Sequence, residues 1–372
     1  MARNRSRPLL RLTQILAVII FPLYLVSAAA WYFDPAKFLV PAYAGLAFPV
    51  LFLAAAAITL VLLFTAFRQS LIALLLLIIG AGHLSRLVQF NSPAPVSGKP
   101  VKVVSWNLQN FIRENTSTTR WVEDFSNRDS ITGWLINQKA DIYLIQEFLN
   151  DRPNYEQYIR DFGKQLGCPH LVYCNYYKTS RNKIDGLAIF SRYPVINSFR
   201  LEEGNKVYAL VADIAAGDDT IRFFNIHLAS LHLKHGDYRF IRKLESLPDQ
   251  EELETGTRSI LGKMGDAFIR RSGQIKTLSE YLKESPYPVI LGGDLNDTPS
   301  SWAYRRLRAS LNDAFTIAGR GFSGTLANEL LPAFRIDILF TSEHFSPVSY
   351  QRIKIPFSDH YPVVTTVIKK EE

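Results

Sequence analysis

Three apolar runs fill most of the first 90 residues, and they restrict the possible folds more than any other feature: Ile15–Phe33, Phe38–Phe67 and Leu71–Leu87. A helix needs about 20 mainly apolar residues to cross the hydrocarbon layer of a bilayer. The first two runs reach that length. The third carries His83 and Arg86 in its last turn, where polar side chains can reach the head groups. Residues 1–90 are therefore predicted to form three transmembrane helices.

The basic residues predict how these helices are oriented. Four arginines precede the first run, and Arg68 lies in a predicted tight turn, Arg68–Ser70, between the second and third helices. Because cytoplasmic loops carry an excess of Lys and Arg, the N-terminus is predicted to be cytoplasmic. Three crossings then place the rest of the chain on the periplasmic or extracellular side of the cytoplasmic membrane. A cleaved signal peptide ending at Ala28–Ala30 is the alternative, and it leads to the same compartment.

The net charge of +8 is a property of the membrane region rather than of the whole chain. Residues 1–100 contain eight Lys or Arg and one acid, Asp34, which leaves about +1 for residues 101–372. The second part therefore has no overall positive field to attract a polyphosphate backbone. Its composition gives no support to a general nucleic-acid-binding protein.

Composition changes again at Asn91–Pro100, which contains three prolines and a glycine and is predicted to be a linker. Short strands and helices alternate over residues 101–372, which predicts one α/β domain large enough to bury a core. The predicted strands are Val101–Leu108, Ile142–Gln146, Gly186–Phe190, Val207–Ile214, Ile221–Leu228, Val289–Leu291, Arg335–Phe340 and Tyr361–Val367. The predicted helices are Thr119–Asn137, Tyr155–Leu166, Arg258–Leu282 and Ser301–Leu311.

Two features stay open at this level. The only cysteines, Cys168 and Cys174, form either one short-loop disulfide or two buried free thiols. The polar stretch Leu228–Ile269 either shapes substrate choice or merely covers the site.

Polar side chains recur at the ends of the predicted strands. Asn107 follows the first strand, and Glu147 ends the second, where a carboxylate is costly unless it is paired or binds a cation. Strand alternation places Asn225 and His227 on one face. Asp185, followed by glycine, is more typical of a turn.

The same pattern continues towards the C-terminus. Gly292–Asn296 places Asp294 and Asn296 directly after an apolar strand, and alternation puts Arg335 and Asp337 on one face. Ser358–His360 precedes the closing strand. We exclude a Ser-His-Asp triad there, because sequence neighbours do not adopt that geometry.

Together these motifs resemble the endonuclease/exonuclease/phosphatase superfamily over nearly all of residues 101–368. The motifs are, in the family's order, strand–Asn (107), Gln–Glu (146–147), Asn-x-His (225–227), Gly-Asp-x-Asn (293–296), Arg-x-Asp (335–337) and Ser-Asp-His-x-Pro-Val (358–363). The resemblance implies two mixed β-sheets packed face to face and flanked by helices, a four-layer sandwich.

The resemblance also implies a metal site. Glu147 looks like the principal ligand of a divalent cation, with Asn107 beside it and Asp359 close enough to contribute. Oxygen donors without thiolates suit Mg²⁺ or Mn²⁺.

For catalysis, Asp294 resembles the carboxylate that orients or deprotonates the attacking water, and Asn296 the amide that holds a phosphate oxygen. His360 looks like the imidazole that faces the scissile phosphate, with Asp337 as its orienting partner. His227 is similar to a second phosphate-contacting position. Asn225, on the same strand face, is expected to bind the substrate phosphate as well.

We therefore expect a metal-dependent phosphoester hydrolase at the outer face of the membrane. Its expected partners are the membrane and a phosphoester substrate, which is a lipid head group, a nucleic acid or a small molecule; no protein partner is implied. The alternatives are an extracytoplasmic nuclease and a catalytically silent surface binding module.

Overall fold

Two six-stranded mixed β-sheets lie face to face in the computed structural model, which describes residues 6–92, 95, 98–111, 127–150, 154–178, 184–231, 235–246, 249–327 and 334–370. Sheet I contains, in spatial order, β13 (Phe345–Arg352), β14 (Val363–Lys369), β2 (Pro100–Asn107), β3 (Ile142–Asn150), β5 (Ile184–Ser191) and β4 (His170–Lys178). Sheet II contains β10 (Asn312–Asp313), β12 (Asp337–Thr341), β9 (Val289–Asp294), β8 (Asp219–His227), β7 (Lys206–Ala216) and β6 (Val195–Glu203). A separate ribbon pairs β1 (Val88–Phe90) with β11 (Arg320–Phe322).

The helices fall into an N-terminal group and a group that flanks the sheets. The N-terminal group is α1 (Ser6–Ala29), α2 (Leu39–Leu46), α3 (Phe48–Thr65) and α4 (Phe67–Leu84). The second group is α5 (Asn127–Gln138), α6 (Tyr155–Gln165), α7 (His235–Lys243), α8 (Gln250–Lys283), α9 (Trp302–Arg308) and α10 (Ala314–Ala318). Short 3₁₀ turns lie at Gln109–Phe111 and Leu244–Ser246.

The main core lies between the two sheets, because alternate strand residues point to opposite faces. Leu144 and Ile189 of sheet I belong to the same buried cluster as Phe223 and Ile290 of sheet II. The outer face of sheet I packs against α5 and α6, and that of sheet II against α8 and α9. The layers are thus helix, sheet, sheet and helix, and the predicted fold class is confirmed.

One edge of the sandwich gathers strand ends from both sheets. The strands β2 and β3 are parallel, and so are β8 and β9. Because parallel strands end at the same edge of a sheet, Asn107 lies next to Gln146, and His227 lies next to Asp294. The neighbouring antiparallel strand β12 begins at this edge, where Asp337 pairs with Asp294.

Three N-terminal helices are long and apolar enough to cross a membrane by length and composition: Pro8–Ala29, Phe48–Thr65 and Phe67–Leu84. The prediction of a single helix over the apolar run Phe38–Phe67 is wrong, because α2 ends before Ala47 and a new helix starts at Phe48. Pro49 lies in the first turn of α3 and has no N–H to continue α2. The predicted turn Arg68–Ser70 is also misplaced, since the chain breaks at Ala66 and these residues form the first turn of α4.

The N-terminal helices contact the sandwich through the helix layer of sheet II. Asp34, in the loop after α1, forms a 2.6 Å ion pair with Lys276 of α8. The hydroxyl of Tyr43 on α2 donates a 2.7 Å hydrogen bond to the carbonyl of Leu261 on α8. The two groups of helices are therefore joined by specific polar contacts as well as by the chain.

Both cysteines are free and buried. Cys168 packs with the outer-face cluster of sheet I, whereas Cys174 packs between the sheets. Because the two side chains lie on opposite faces of sheet I, the disulfide alternative is not the one the fold adopts.

Candidate active site

Glu147 owes its position to a break in the regular pairing of β3. The register between β3 and β5 shifts between Ile145 and Phe148, and Glu147 adopts a φ of 50°. A bulge of this kind inserts an extra residue and re-aims its side chain, and a positive φ is unfavourable for a residue with a Cβ. The half-buried carboxylate is thereby turned towards the strand-end edge, as expected for a residue with a functional role.

Asn107 links the carboxylates of the two sheets. Its side-chain amide donates to Oε1 of Glu147 and to Oδ2 of Asp294, each at 3.2 Å. Its amide oxygen accepts a 3.0 Å hydrogen bond from the backbone N–H of Gln109. Because the amide is 1% exposed and held on both sides, it fixes the separation of the two acids.

Asp294 is positioned by the turn that follows β9. Gly293 has a φ of 139°, and a Cβ there would lie 2.0 Å from the carbonyl oxygen of Ile226, so only glycine fits. The backbone N–H of Asn296 donates to Oδ1 of Asp294 at 2.8 Å, and the amide of Asn296 donates to the carbonyl of Leu228 at 3.1 Å. The sequence Gly-Asp-x-Asn thus holds one carboxylate in a fixed orientation.

His360 is paired with Asp337. Nδ1 of His360 lies 2.9 Å from Oδ2 of Asp337, while Nε2 lies 3.8 Å from Oδ2 of Asp294 and 3.9 Å from Oδ1 of Asp359. Burial by itself would lower the pKa of His360, but these three carboxylates raise it well above its ordinary value of 6.5. The surrounding carboxylates therefore favour the protonated form of His360, whose Nε2 faces the carboxylate cluster.

His227 approaches the same cluster from β8. Its Nε2 lies 3.7 Å from Oε1 of Glu147 and 3.7 Å from Oδ2 of Asp294. Its Nδ1 lies 2.6 Å from the hydroxyl of Tyr176, a buried residue of β4. Tyr176 was missed in the sequence because β4 was not predicted, and a tyrosine in a strand is usually a core residue.

The carboxylates of this cluster fit a divalent cation. Burial and the neighbouring Asp359 raise the pKa of Glu147 to about 8, and burial also raises the pKa values of Asp294 and Asp359. Within the described part of the chain, these three acids form ion pairs only with His227 and His360. Such crowded oxygen donors without a thiolate match the ligands of a hard cation.

A second grouping overlaps the first. Ligand atoms of Asp294, Asp337 and His360 all lie within 4.8 Å of one another. Because Nδ1 of His360 is already engaged by Asp337, this trio is better described as an imidazolium–carboxylate pair beside an additional carboxylate. Glu147 and Asp359 lie outside this trio.

Asn225 does not have the environment expected of a phosphate ligand. Its side chain is fully buried, and its amide donates to the carbonyls of Ile145 at 2.8 Å and Ala188 at 2.9 Å. Its oxygen accepts a 2.6 Å hydrogen bond from Gln146. Both amide hydrogens are used to join the two sheets, so the predicted contact with substrate is corrected to a structural role beneath the site.

Ser358 has no nucleophilic arrangement. Its hydroxyl donates a 2.8 Å hydrogen bond to the backbone carbonyl of Asn107 and accepts one from the N–H of His360 at 3.1 Å. The serine therefore shapes the loop that carries Asp359 and His360, in agreement with the exclusion of a triad.

Two face-to-face mixed sheets with acids, amides and imidazoles at one strand-end edge define a class of sandwich-fold phosphoester hydrolases. Residues 104–360 match the model of the endonuclease/exonuclease/phosphatase family. The chain belongs to this family, and its sandwich is the hydrolase fold of that family. Residues 10–87 match a second family model, described only as a domain of unknown function.

Several solved structures are similar to this chain, and the first described here has the same fold. An endonuclease/exonuclease/phosphatase from Beutenbergia cavernae is 17% identical, with a TM-score of 0.51, over 73% of this chain and 72% of that chain. A family member from Bacteroides vulgatus (19% identity, TM-score 0.48) covers 73% of this chain and 100% of its own. The human Nocturnin catalytic domain with a bound sulfate anion is 16% identical, with a TM-score of 0.48, and the match covers 73% of this chain and 95% of that chain. No curated protein matches the sequence.

Proposed function

We propose that the chain is a divalent-metal-dependent phosphoester hydrolase that is anchored in the cytoplasmic membrane and acts on its outer side. One observation carries the proposal: five separated segments supply Asn107, Glu147, Asp294, His227 and His360, and a chain of contacts of 3.2–3.8 Å joins these side chains into one cluster. No packing requirement explains so many polar groups at one open edge.

The proposed chemistry starts with the proton of a water molecule. Asp294 has one carboxylate oxygen held by the N–H of Asn296, and the other faces both imidazoles. It is the group best placed to orient the attacking water and to accept its proton. Asn296 is proposed to hold a non-bridging phosphate oxygen.

The imidazoles supply positive charge and hydrogen-bond donors. The imidazolium of His360, fixed by Asp337, is proposed to donate from Nε2 to a phosphate oxygen as negative charge develops there. His227 is proposed to contact the phosphate as well, with Tyr176 fixing the direction of its ring. Holding both rings before the substrate binds avoids reorganisation during the reaction.

Glu147, Asp359 and the amide oxygen of Asn107 are proposed to hold Mg²⁺ or Mn²⁺. When bound, such a cation neutralises the phosphoester anion and stabilises charge in the transition state. Burial raises the pKa of Glu147, and so does repulsion from Asp359, which the same cation would relieve. The chemistry of these donors supports this assignment.

The proposed domain organisation follows the composition. Residues 1–90 form the membrane anchor, residues 91–100 a linker and residues 101–372 the phosphoesterase domain. The four arginines before the apolar run Ile15–Phe33 favour a cytoplasmic N-terminus, and three crossings then put the catalytic domain outside. A membrane-bound enzyme with a nearly neutral catalytic domain favours a phosphodiester at or near the lipid surface over a long polyanion.

A panel of phosphoesters tests this proposal with the purified full-length protein in Mg²⁺ and in Mn²⁺. The panel contains phospholipids in mixed micelles, supercoiled plasmid DNA, soluble phosphodiesters and phosphomonoesters. We expect turnover of the lipid or soluble diesters to exceed that of plasmid DNA. Preferential plasmid cleavage would favour a nuclease, and no turnover on any substrate would favour a silent binding module.

A further inference from the structure

A cleft of about 230 Å³ opens directly from the catalytic centre. Glu147, His227 and Tyr176 line it, and so do Asp185, Lys206 and Arg270, which the proposed reaction does not use. The cleft therefore connects the site of the scissile phosphate to a second group of charged side chains. A substituent of the substrate is the natural occupant of such a space.

Asp185 gives the clearest sign of a ligand in this cleft. Asp185 lies inside β5 rather than in the turn expected from its sequence. The glycine after it is required by close strand pairing and not by a turn, since a Cβ at Gly186 would lie 1.9 Å from the carbonyl oxygen of Cys174 on the paired strand. The side chain is 9% exposed, and its Oδ1 is buried without a hydrogen-bond partner among the described residues. Buried acceptors are nearly always satisfied, so a hydrogen-bond donor from a ligand is expected here.

The other charged groups restrict the charge of that ligand. Lys206 is close enough to Asp185 and Arg270 to interact electrostatically with both. Arg270 is paired with Glu203 at 3.4 Å. The positive charges of Lys206 and Arg270 are balanced by the acids Asp185 and Glu203. This part of the cleft is therefore neutral, which disfavours a second strongly anionic group. It offers hydrogen-bond acceptors and donors side by side.

The walls and the size of the cleft restrict its shape. Val207 and Leu228 give apolar wall segments between the polar groups. Pockets for drug-sized ligands measure about 300–1,000 Å³, so a cleft of about 230 Å³ takes one small ring or a short chain. The cleft can enclose only one such unit, so the rest of a longer chain would have to lie outside it.

We propose that this cleft binds a neutral, hydroxyl-rich group, a sugar or polyol, that is esterified to the scissile phosphate. One hydroxyl donates to Oδ1 of Asp185, Lys206 and Arg270 donate to hydroxyl oxygens, and C–H faces of the group contact Val207 and Leu228. This inference rests on the proposed function, because it names the substrate class of the same site. The group comes either from a lipid head group or from a soluble glycosyl or glycerol phosphodiester.

The test compares kcat/KM of the full-length protein in Mg²⁺ for substrates with and without hydroxyls. The lipid arm uses phosphatidylglycerol against phosphatidylcholine in mixed micelles. The soluble arm uses glycerophosphoglycerol against dipropyl phosphate, which has alkoxide leaving groups as well but no hydroxyls. We expect preference for the hydroxyl-bearing member in at least one arm, and the arm that shows it identifies the source. Asp185→Asn and Lys206→Gln should each reduce that preference roughly tenfold, because a charge-assisted hydrogen bond to a substrate hydroxyl is replaced by a weaker neutral one.

A matched control is the surface pair Asp219 and Lys369, which lies outside the cleft lining. Asp219→Asn and Lys369→Gln should leave the preference unchanged. The cleft assignment would be overturned if the wild type showed no preference in either arm. It would also be overturned if Asp185→Asn and Lys206→Gln lost turnover equally on both substrates of an arm.

A binding measurement separates the cleft from the catalytic proposal. Saturation-transfer NMR with myo-inositol and with glycerol, in EDTA, should show contact with the wild type and lose it in Asp185→Asn but not in Asp219→Asn. Contact without turnover on any substrate would reject the hydrolase and retain the cleft. Contact that persists in Asp185→Asn would reject the cleft.

Discussion

At the scale of single residues, the two imidazoles of the site differ in their partners. His360 is held by the carboxylate of Asp337, whereas His227 is held by the hydroxyl of Tyr176. A carboxylate stabilises the imidazolium and also orients the ring, but a phenol mainly orients it. The two histidines are therefore expected to contribute unequally to catalysis.

Asp337→Asn should reduce kcat by on the order of 10²-fold or more, because the isosteric amide keeps the shape but no longer stabilises the imidazolium of His360. Steady-state hydrolysis of bis(4-nitrophenyl) phosphate in Mg²⁺ measures this effect. Asp219→Asn, in a surface ion pair, is the control. An Asp337→Asn enzyme with wild-type kcat would remove His360 from the proposed chemistry.

Tyr176→Phe should have a smaller effect, a fall in kcat of roughly tenfold, because one hydrogen bond to His227 is lost while the ring still fills the core. The same assay measures it, with Tyr281→Phe as the control at an exposed position. A loss of thermal stability without a change in kcat would show that Tyr176 is only a packing residue.

Strand alternation predicted which face each of these side chains occupies. Asn225 and His227 do share the face that looks towards sheet I. The sequence did not show that the sheets close over Asn225 and leave only His227, two residues further on, at the edge. Depth within the sandwich depends on strand pairing between distant segments, which alternation does not encode.

At the scale of elements, α8 connects the N-terminal helices to the loops of the site. Arg271 donates to the carbonyl of Ala229 at 2.5 Å and pairs with Asp297 at 3.3 Å, next to Asn296. Lys276, on the same helix, pairs with Asp34 after α1. Contacts with the anchor and with the active-site loops therefore lie within two turns of one helix.

Asp34→Asn should lower the Tm of the full-length protein by roughly 2–4 °C at neutral pH. Burial alone would raise the pKa of Asp34, but hydrogen bonds from Lys276, Ser272 and the N–H of Ala36 lower it below 3.8. The ionised carboxylate thus stabilises the fold above pH 3.8, and this contribution is lost as the pH falls through the lower folded-state pKa.

Thermal unfolding of wild type and variant between pH 7 and pH 3 measures this dependence. The difference in Tm should shrink as the pH falls below about 4. Asp218→Asn, at an exposed turn, should show no comparable difference at any pH. A constant difference across the range would contradict the role of the charged pair.

Elements with a weak or exposed hydrophobic pattern account for some of the differences between the prediction and the fold. The helix predicted from Arg258 in fact begins at Gln250, where Asp249 caps it by accepting a 2.8 Å hydrogen bond from the N–H of Glu252. Its first turns are exposed, so they lack the apolar period that marks a helix. The missed strand β6 likewise has mostly exposed residues at the edge of sheet II. The predicted helix from Thr119 lies partly outside the described residues.

At the scale of the whole molecule, the proposed membrane orientation rests on the basic residues of the N-terminal region. The positive-inside rule uses only four arginines and Arg68, and the fold of the sandwich is independent of which side it occupies. Cysteine labelling is well suited to the question, because Cys168 and Cys174 are buried and burial raises the pKa of each thiol to about 12. Their background reaction with maleimides should be low.

Ser310→Cys and Gln69→Cys place one exposed thiol on each predicted side of the membrane. A membrane-impermeant maleimide added to intact cells should label position 310 and not position 69. Permeabilised cells, in which both should react, are the control. Labelling at position 69 alone would reverse the proposed topology.

The central claim is that side chains from both sheets form one metal-dependent hydrolytic site. The most direct measurement is turnover of bis(4-nitrophenyl) phosphate by the full-length protein in Mg²⁺, after EDTA, and after Mg²⁺ is restored, for wild type and Asp294→Asn. We expect wild-type turnover to vanish with EDTA and return with Mg²⁺, and Asp294→Asn to lose on the order of 10³-fold. Turnover that survives EDTA, or that Asp294→Asn retains in full, would contradict the claim.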